Sequence, residues 1–159
     1  MMDAEYYKAL NINEKTVKPL DGHSGTSDVF IAKFAPPMPM VEKKFVADRF
    51  TYKALNANTL GLFGLNSDLD YLVQIGINIP KSIEDGTHPI AEAQRGVSMS
   101  VIAGGQILHA KGGEITFKRD DKQETISATF KTSVLFTFDG QTTEHQVIGE
   151  AFLNATDPL

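Results

Sequence analysis

Residues 125–138 read TISATFKTSVLFTF, with Ile126, Ala128, Phe130, Val134, Phe136 and Phe138 on one face and Thr132 interrupting them. A repeat of two is the period of an extended chain, whose successive side chains point to opposite sides, so the segment is a β-strand with one apolar face. Fourteen residues exceed the usual strand length. Such a strand must bend, serve two sheets or run around a barrel, and Thr132 is where the bend is expected.

Working outward, short segments of the same kind flank it. VSMSVI (97–102), QILHA (106–110), EITFKR (114–119) and TEHQVIGEAFLN (143–154) are separated by AGG, KGG, DDKQE and DGQ. Gaps this short and this rich in Gly and Asp join antiparallel neighbours, because the left-handed backbone of tight hairpin turns suits those residues. A parallel sheet would need crossovers of a dozen residues or more. The C-terminal half therefore reads as a meander.

The two Gly-Gly pairs, Gly104–Gly105 and Gly112–Gly113, also invite comparison with a phosphate-binding loop. A P-loop requires Lys and a hydroxyl after its last glycine and a helix to receive the anion, whereas Gln106 and Glu114 follow here and strands come next. Both pairs are read as successive hairpin turns.

The first half repeats the pattern less evenly. In YLVQIGINIP (71–80) the odd positions are Tyr71, Val73, Ile75, Ile77 and Ile79, a half-buried strand stopped by Pro80. KFVADRFTYKAL (44–55) puts Val46, Phe50 and Tyr52 on one side and Phe45, Ala47, Arg49 and Thr51 on the other, with a turn at Asn56–Asn58. TLGLFGL (59–65) and VFIAKF (29–34) are further strands. APPMPM (35–40) is a stiff connector that also holds a minimal P-x-x-P, Pro36–Pro39. Asp3–Leu10 is a short helix capped by Asp3, Pro19–Ser27 a loop, and KSIEDGTHPIAEAQRG (81–96) a long connection with a turn at Asp85–Gly86 and a helical turn at Ala91–Gln94.

The expected fold is all-β with a minor helix near the N-terminus: an antiparallel β-sandwich or β-barrel of about eight to ten strands. The 159 residues make a single β domain, in which 1–41 supply the N-terminal helix, loop, strand and Pro-rich connector.

Composition bounds function by exclusion. A net charge of −5, with Lys43, Lys44 and Arg49 as the longest basic cluster, provides no surface for tracking phosphates, so no nucleic acid partner is expected. The chain has no cysteine, which removes disulfides, thiolate metal sites and a cysteine nucleophile. Apolar runs are too short for a membrane span. The start, MMDAEYYKAL, lacks the pattern of a secretion signal; a cytoplasmic location is the default, and the doubled Met also fits a leader replaced at the start of the chain.

The four histidines, His23, His88, His109 and His145, form no H-x-H or H-E-x-x-H pair, so no metal, cofactor or catalytic residue is assigned. His109 and His145 lie on strands that could be neighbours in a sheet. Ser24, beside His23, sits in no nucleophile elbow. Asn154–Thr156 fits a glycosylation acceptor, relevant only in a glycosylating pathway.

Three functions are expected in descending order. The first is a non-enzymatic binding or assembly module that uses a sheet surface or edge to hold a protein partner or a second copy. The second is a carrier of a small apolar ligand, lined by Phe130, Phe136 and Phe138 with His109 and His145 as polar contacts. The third is a hydrolase in which at least two of His88, His109, His145, Glu114 and Glu144 meet in one cleft.

Overall fold

The computed structural model describes residues 4–13, 15, 27–39, 41, 43–67, 72–91 and 96–159. Helix α1 (Ala4–Ala9) precedes eleven strands: β1 (Val29–Ala35), β2 (Lys44–Val46), β3 (Arg49–Ala54), β4 (Thr59–Asn66), β5 (Val73–Pro80), β6 (Gly86–Pro89), β7 (Ser98–Ala103), β8 (Gln106–His109), β9 (Lys111–Asp120), β10 (Thr125–Phe138) and β11 (Gln141–Asn154). They form two antiparallel sheets, one ordered β2-β1-β11-β10-β9-β6 and the other β3-β4-β5-β7-β8. The architecture is a sandwich. The expected cap Asp3, the loop 19–26 and Glu92–Gln94 of the expected helical turn lie outside the described residues.

Period-two patterning fills the space between the sheets. Phe30 and Phe34 from β1, Phe117 from β9, Phe130 and Phe136 from β10 and Val147 from β11 meet Tyr52, Leu62, Ile75, Ile77 and Val101 of the other sheet in one core. Phe30 stands between Phe45, edge-on at 6.1 Å, and Phe130 at 6.0 Å. Such ring pairs add to the burial that drives packing.

Among the described residues the chain passes from one sheet to the other in four places, and two of them show how it does so. Ala47 donates its amide to Phe30 O in one sheet (2.9 Å), and Asp48 donates to Leu65 O in the other (2.9 Å). Two short strands therefore replace the single alternating segment expected over 44–55. This turns Val46 out to 56% exposure, away from buried Phe50 and Tyr52.

The second change lies at the second Gly-Gly pair, which is not a hairpin turn. Gly104–Gly105 joins β7 to β8 as expected, with φ of 54° and 74°. Gly112 and Gly113, at φ of 75° and 78°, instead open β9 where the chain leaves β8 for the six-stranded sheet. Gly113 runs so close to β10 that a Cβ there would lie 1.9 Å from Lys131 O. The β9–β10 register shifts between Lys131 and Ser133, around Thr132, whose hydroxyl donates to Gly112 O at 2.6 Å. The polar residue in the long strand marks this irregularity.

β5 is buried on both faces rather than half-buried. The N-terminal segment covers its outer side: Gln74 Nε2 donates to Leu10 O (2.7 Å), Asn78 Nδ2 to Ala9 O (3.1 Å) and Asn11 Nδ2 to Gln74 Oε1 (3.4 Å). Leu10 and Ile12 pack on Ile102 and Ile107 as a small second core. The connection over 81–96 contains a strand, β6, at the sheet edge. Arg119 fastens its start, through Asp85 (2.8 Å) and the carbonyls of Lys81 and Ile83.

Candidate functional site

The residues singled out in the sequence go to different parts of the fold. Phe130 and Phe136 are buried in the common core, while Phe138 is 43% exposed next to the Asp139–Gly140 turn. The three do not surround one cavity. His145 is buried on β11, edge-on to Phe136 at 6.4 Å. Its Nδ1 lies 2.6 Å from Pro36 O, a group that only accepts, so Nδ1 carries a hydrogen; Nε2 meets Thr143 Oγ1 at 2.6 Å. Both ring nitrogens are thus engaged: Nδ1 holds the Pro-rich connector on β11, and Nε2 is held by Thr143 of β11 itself.

His109 is exposed on β8. β8 and β11 belong to different sheets, so His109 and His145 are not strand neighbours, and one points outward while the other is buried. His88 stacks on Phe117 at 5.3 Å and contacts Glu84 O at 2.6 Å. Of the five residues considered for hydrolysis, His109 and Glu144 line one groove of about 910 Å³, together with Lys111, Ser133 and Leu135. Glu114 lies in another depression. Among the described residues no three His, Asp or Glu side chains gather as a ligand set for a metal.

The other depression is on the outer face of the six-stranded sheet. Strand pairing places Glu114, Lys131, Ile148, Lys33 and Lys44 in one row across β9, β10, β11, β1 and β2. The next row is Thr116, Thr129, Glu150, Ile31 and Val46. These rows line a trough of about 740 Å³. It continues, through Thr116, Thr129 and Glu150, into a second hollow of about 400 Å³ beside Lys118, Val29 and Phe152. Val29 and Phe152 are cross-strand partners and both exposed.

Comparison of the chain with protein-family models, with curated proteins and with solved structures finds no match.

The trough carries four lysines, Lys33, Lys44, Lys118 and Lys131, against two glutamates, Glu114 and Glu150. It is therefore net positive on a chain of net charge −5. Sequence reasoning followed the buried face of each strand and passed over Val29, Ile31, Ile148 and Phe152 on the other. Their signal was present: VFIAKF and VIGEAF carry apolar residues at odd and even positions alike, which a strand with one wet face does not need.

The strand edges offer less. β2 is three residues long, and Asn66 Nδ2 donates to Val46 O (2.8 Å) beside it. β6 has four residues and ends in Pro89. The tail after β11 runs along β3: Ala54 N donates to Pro158 O (3.0 Å) and Thr156 N to Tyr52 O (2.9 Å). Short, prolined or covered edges resist pairing with another chain.

Proposed function

We propose that this protein is a non-catalytic binding module that docks an acidic protein segment, anchored by apolar side chains, on the outer face of the six-stranded sheet. The observation that carries the reading is the trough lined by Ile31, Ile148 and, on the edge strand, Val46, with an excess of lysine around them. Neighbouring exposed apolar residues on a sheet gain by desolvation, about 25 cal/mol per Å² of area removed from water. The lysines select the sign of the partner and speed encounter, since complementary charge acts mainly on specificity and association rate. The short β2 and β6 edges of this sheet favour docking on the face over strand addition.

Fluorescence anisotropy with two labelled model peptides, one alternating Leu and Glu and one alternating Leu and Lys, tests this. The Leu-Glu peptide should bind at least tenfold more tightly, weaken with added salt, and lose binding in Val46→Asp and in Lys33→Glu/Lys131→Glu. Equal binding of both peptides, or none, would overturn the proposal. Light scattering over a wide concentration range separates the remaining occupant: a dimer disrupted by Val46→Asp assigns the face to a second copy and overturns the acidic partner.

A further inference from the structure

The long hairpin outgrows its sheet. On one side β1 ends at the pair Ala35↔Gln146, and on the other β9 ends at Lys111↔Ser133, yet β10 and β11 remain paired up to Phe138↔Gln141. In a strand, the amide and carbonyl of one residue point to the same side, and successive residues alternate. Thr137 faces away from β11, because the Gln106 side chain takes both of its groups: Gln106 Nε2 donates to Thr137 O (2.5 Å), and Thr137 N donates to Gln106 Oε1 (3.2 Å). By the same alternation Leu135 and Ser133 face that way too.

Three successive positions on this edge therefore differ. Ser133 is paired by the β9 backbone, Thr137 by a side-chain carboxamide, and Leu135 by no strand among the described residues. The gap has a cause. From Gln106 onward the chain is paired with β7 of the other sheet, a ladder that Ala110 N extends by donating to Met99 O at 2.9 Å. Leu135 borders a groove of about 910 Å³ that Ala110, His109 and Lys111 also line and that extends to Leu10, Asn78 and Ser98.

We infer that this groove is a binding site for a small ligand with a planar amide on an apolar body, its N–H and C=O paired with the carbonyl and amide of Leu135. The molecule itself presents the chemistry one position along, where the carboxamide of Gln106 makes that pair of bonds to Thr137. An extended peptide is disfavoured because the positions on both sides are already filled. Apolar walls from Leu108, Ala110 and Leu135 suit the body of the ligand, and the volume lies in the range of small-molecule sites. The site shares no residue with the lysine-rimmed trough.

Benzamide is the probe, with methyl benzoate as the analogue that keeps the ring and carbonyl but has no N–H. Titration of each into the ¹⁵N-labelled full chain should give a saturable shift of the Leu135 amide resonance with benzamide, and at least tenfold weaker binding of methyl benzoate. Leu135→Ala, at a side chain that is 59% exposed and so dispensable for folding, should weaken benzamide several-fold. Absence of a saturable Leu135 shift, or equal affinity for the two compounds, overturns the inference; the wild-type comparison decides even where the variant is unstable.

Discussion

At the scale of single residues, three positions combine backbone or burial constraints with a clear expected outcome. Gly113 has both a left-handed φ of 78° and Lys131 O at 1.9 Å from any added Cβ, while Gly105 has a φ of 74° with open space around it. The left-handed region alone costs a side chain roughly 1–2 kcal/mol. Gly105→Ala should lower unfolding stability in urea by about that amount, and Gly113→Ala by clearly more, since it also pushes β9 off β10. Tyr52 supplies the pH dependence. Burial raises its phenol to about 12, with Arg119 opposing and Asp121 and Asp85 assisting the shift. A raised value means the folded state keeps the proton after the unfolded chain has lost it. The contribution is complete below about pH 10 and fades as pH rises through the interval up to about 12, by on the order of 2–3 kcal/mol for a shift of this size. Absorbance at 295 nm should show a late-titrating component that is missing in Tyr52→Phe.

At the scale of elements, the strand edges decide behaviour. Thr156 is a small device on the outside of β3: its hydroxyl accepts from Tyr52 N (3.1 Å) and donates to Tyr52 O (3.2 Å), while Pro158 O takes Ala54 N. Ending the chain after Ala155 leaves these groups on an open edge. Such a truncation should speed the exchange of the Tyr52 and Ala54 amides and promote aggregation seen by light scattering, because a bare edge templates pairing. Unchanged exchange at both amides would contradict this role for the tail. The elements themselves were legible in the sequence wherever alternation was strict. β10 and the Asp139–Gly140 turn follow from period and turn chemistry, as does the β3–β4 turn, where Asn56 Oδ1 accepts from Asn58 N at 2.8 Å. β6 was not legible, because GTHP has neither apolar alternation nor length; its pairing with β9 forms it, and the Arg119–Asp85 contact anchors its start.

At the scale of the whole molecule, alternation states that each strand has two faces and leaves open what covers each one. The odd positions of 73–79 were bound to be apolar and inward, but burial of Gln74 to 1% exposure depends on the N-terminal segment lying across it. Phe130 and Phe136 were bound to share a face, and the opposing sheet makes that face a packed core. The sequence by itself determined the class of fold, the inward residues and most turns, since these rest on local steric preference and on a repeat of two. Only the tertiary structure decided which strands became neighbours beyond the hairpins, that Gly112–Gly113 carries the chain between sheets, and that Leu135 pairs with no strand on its β9 side among the described residues. Those outcomes depend on contacts between residues far apart in the chain, as with Ile31 and Glu150 in the trough, whose chemistry no local pattern encodes.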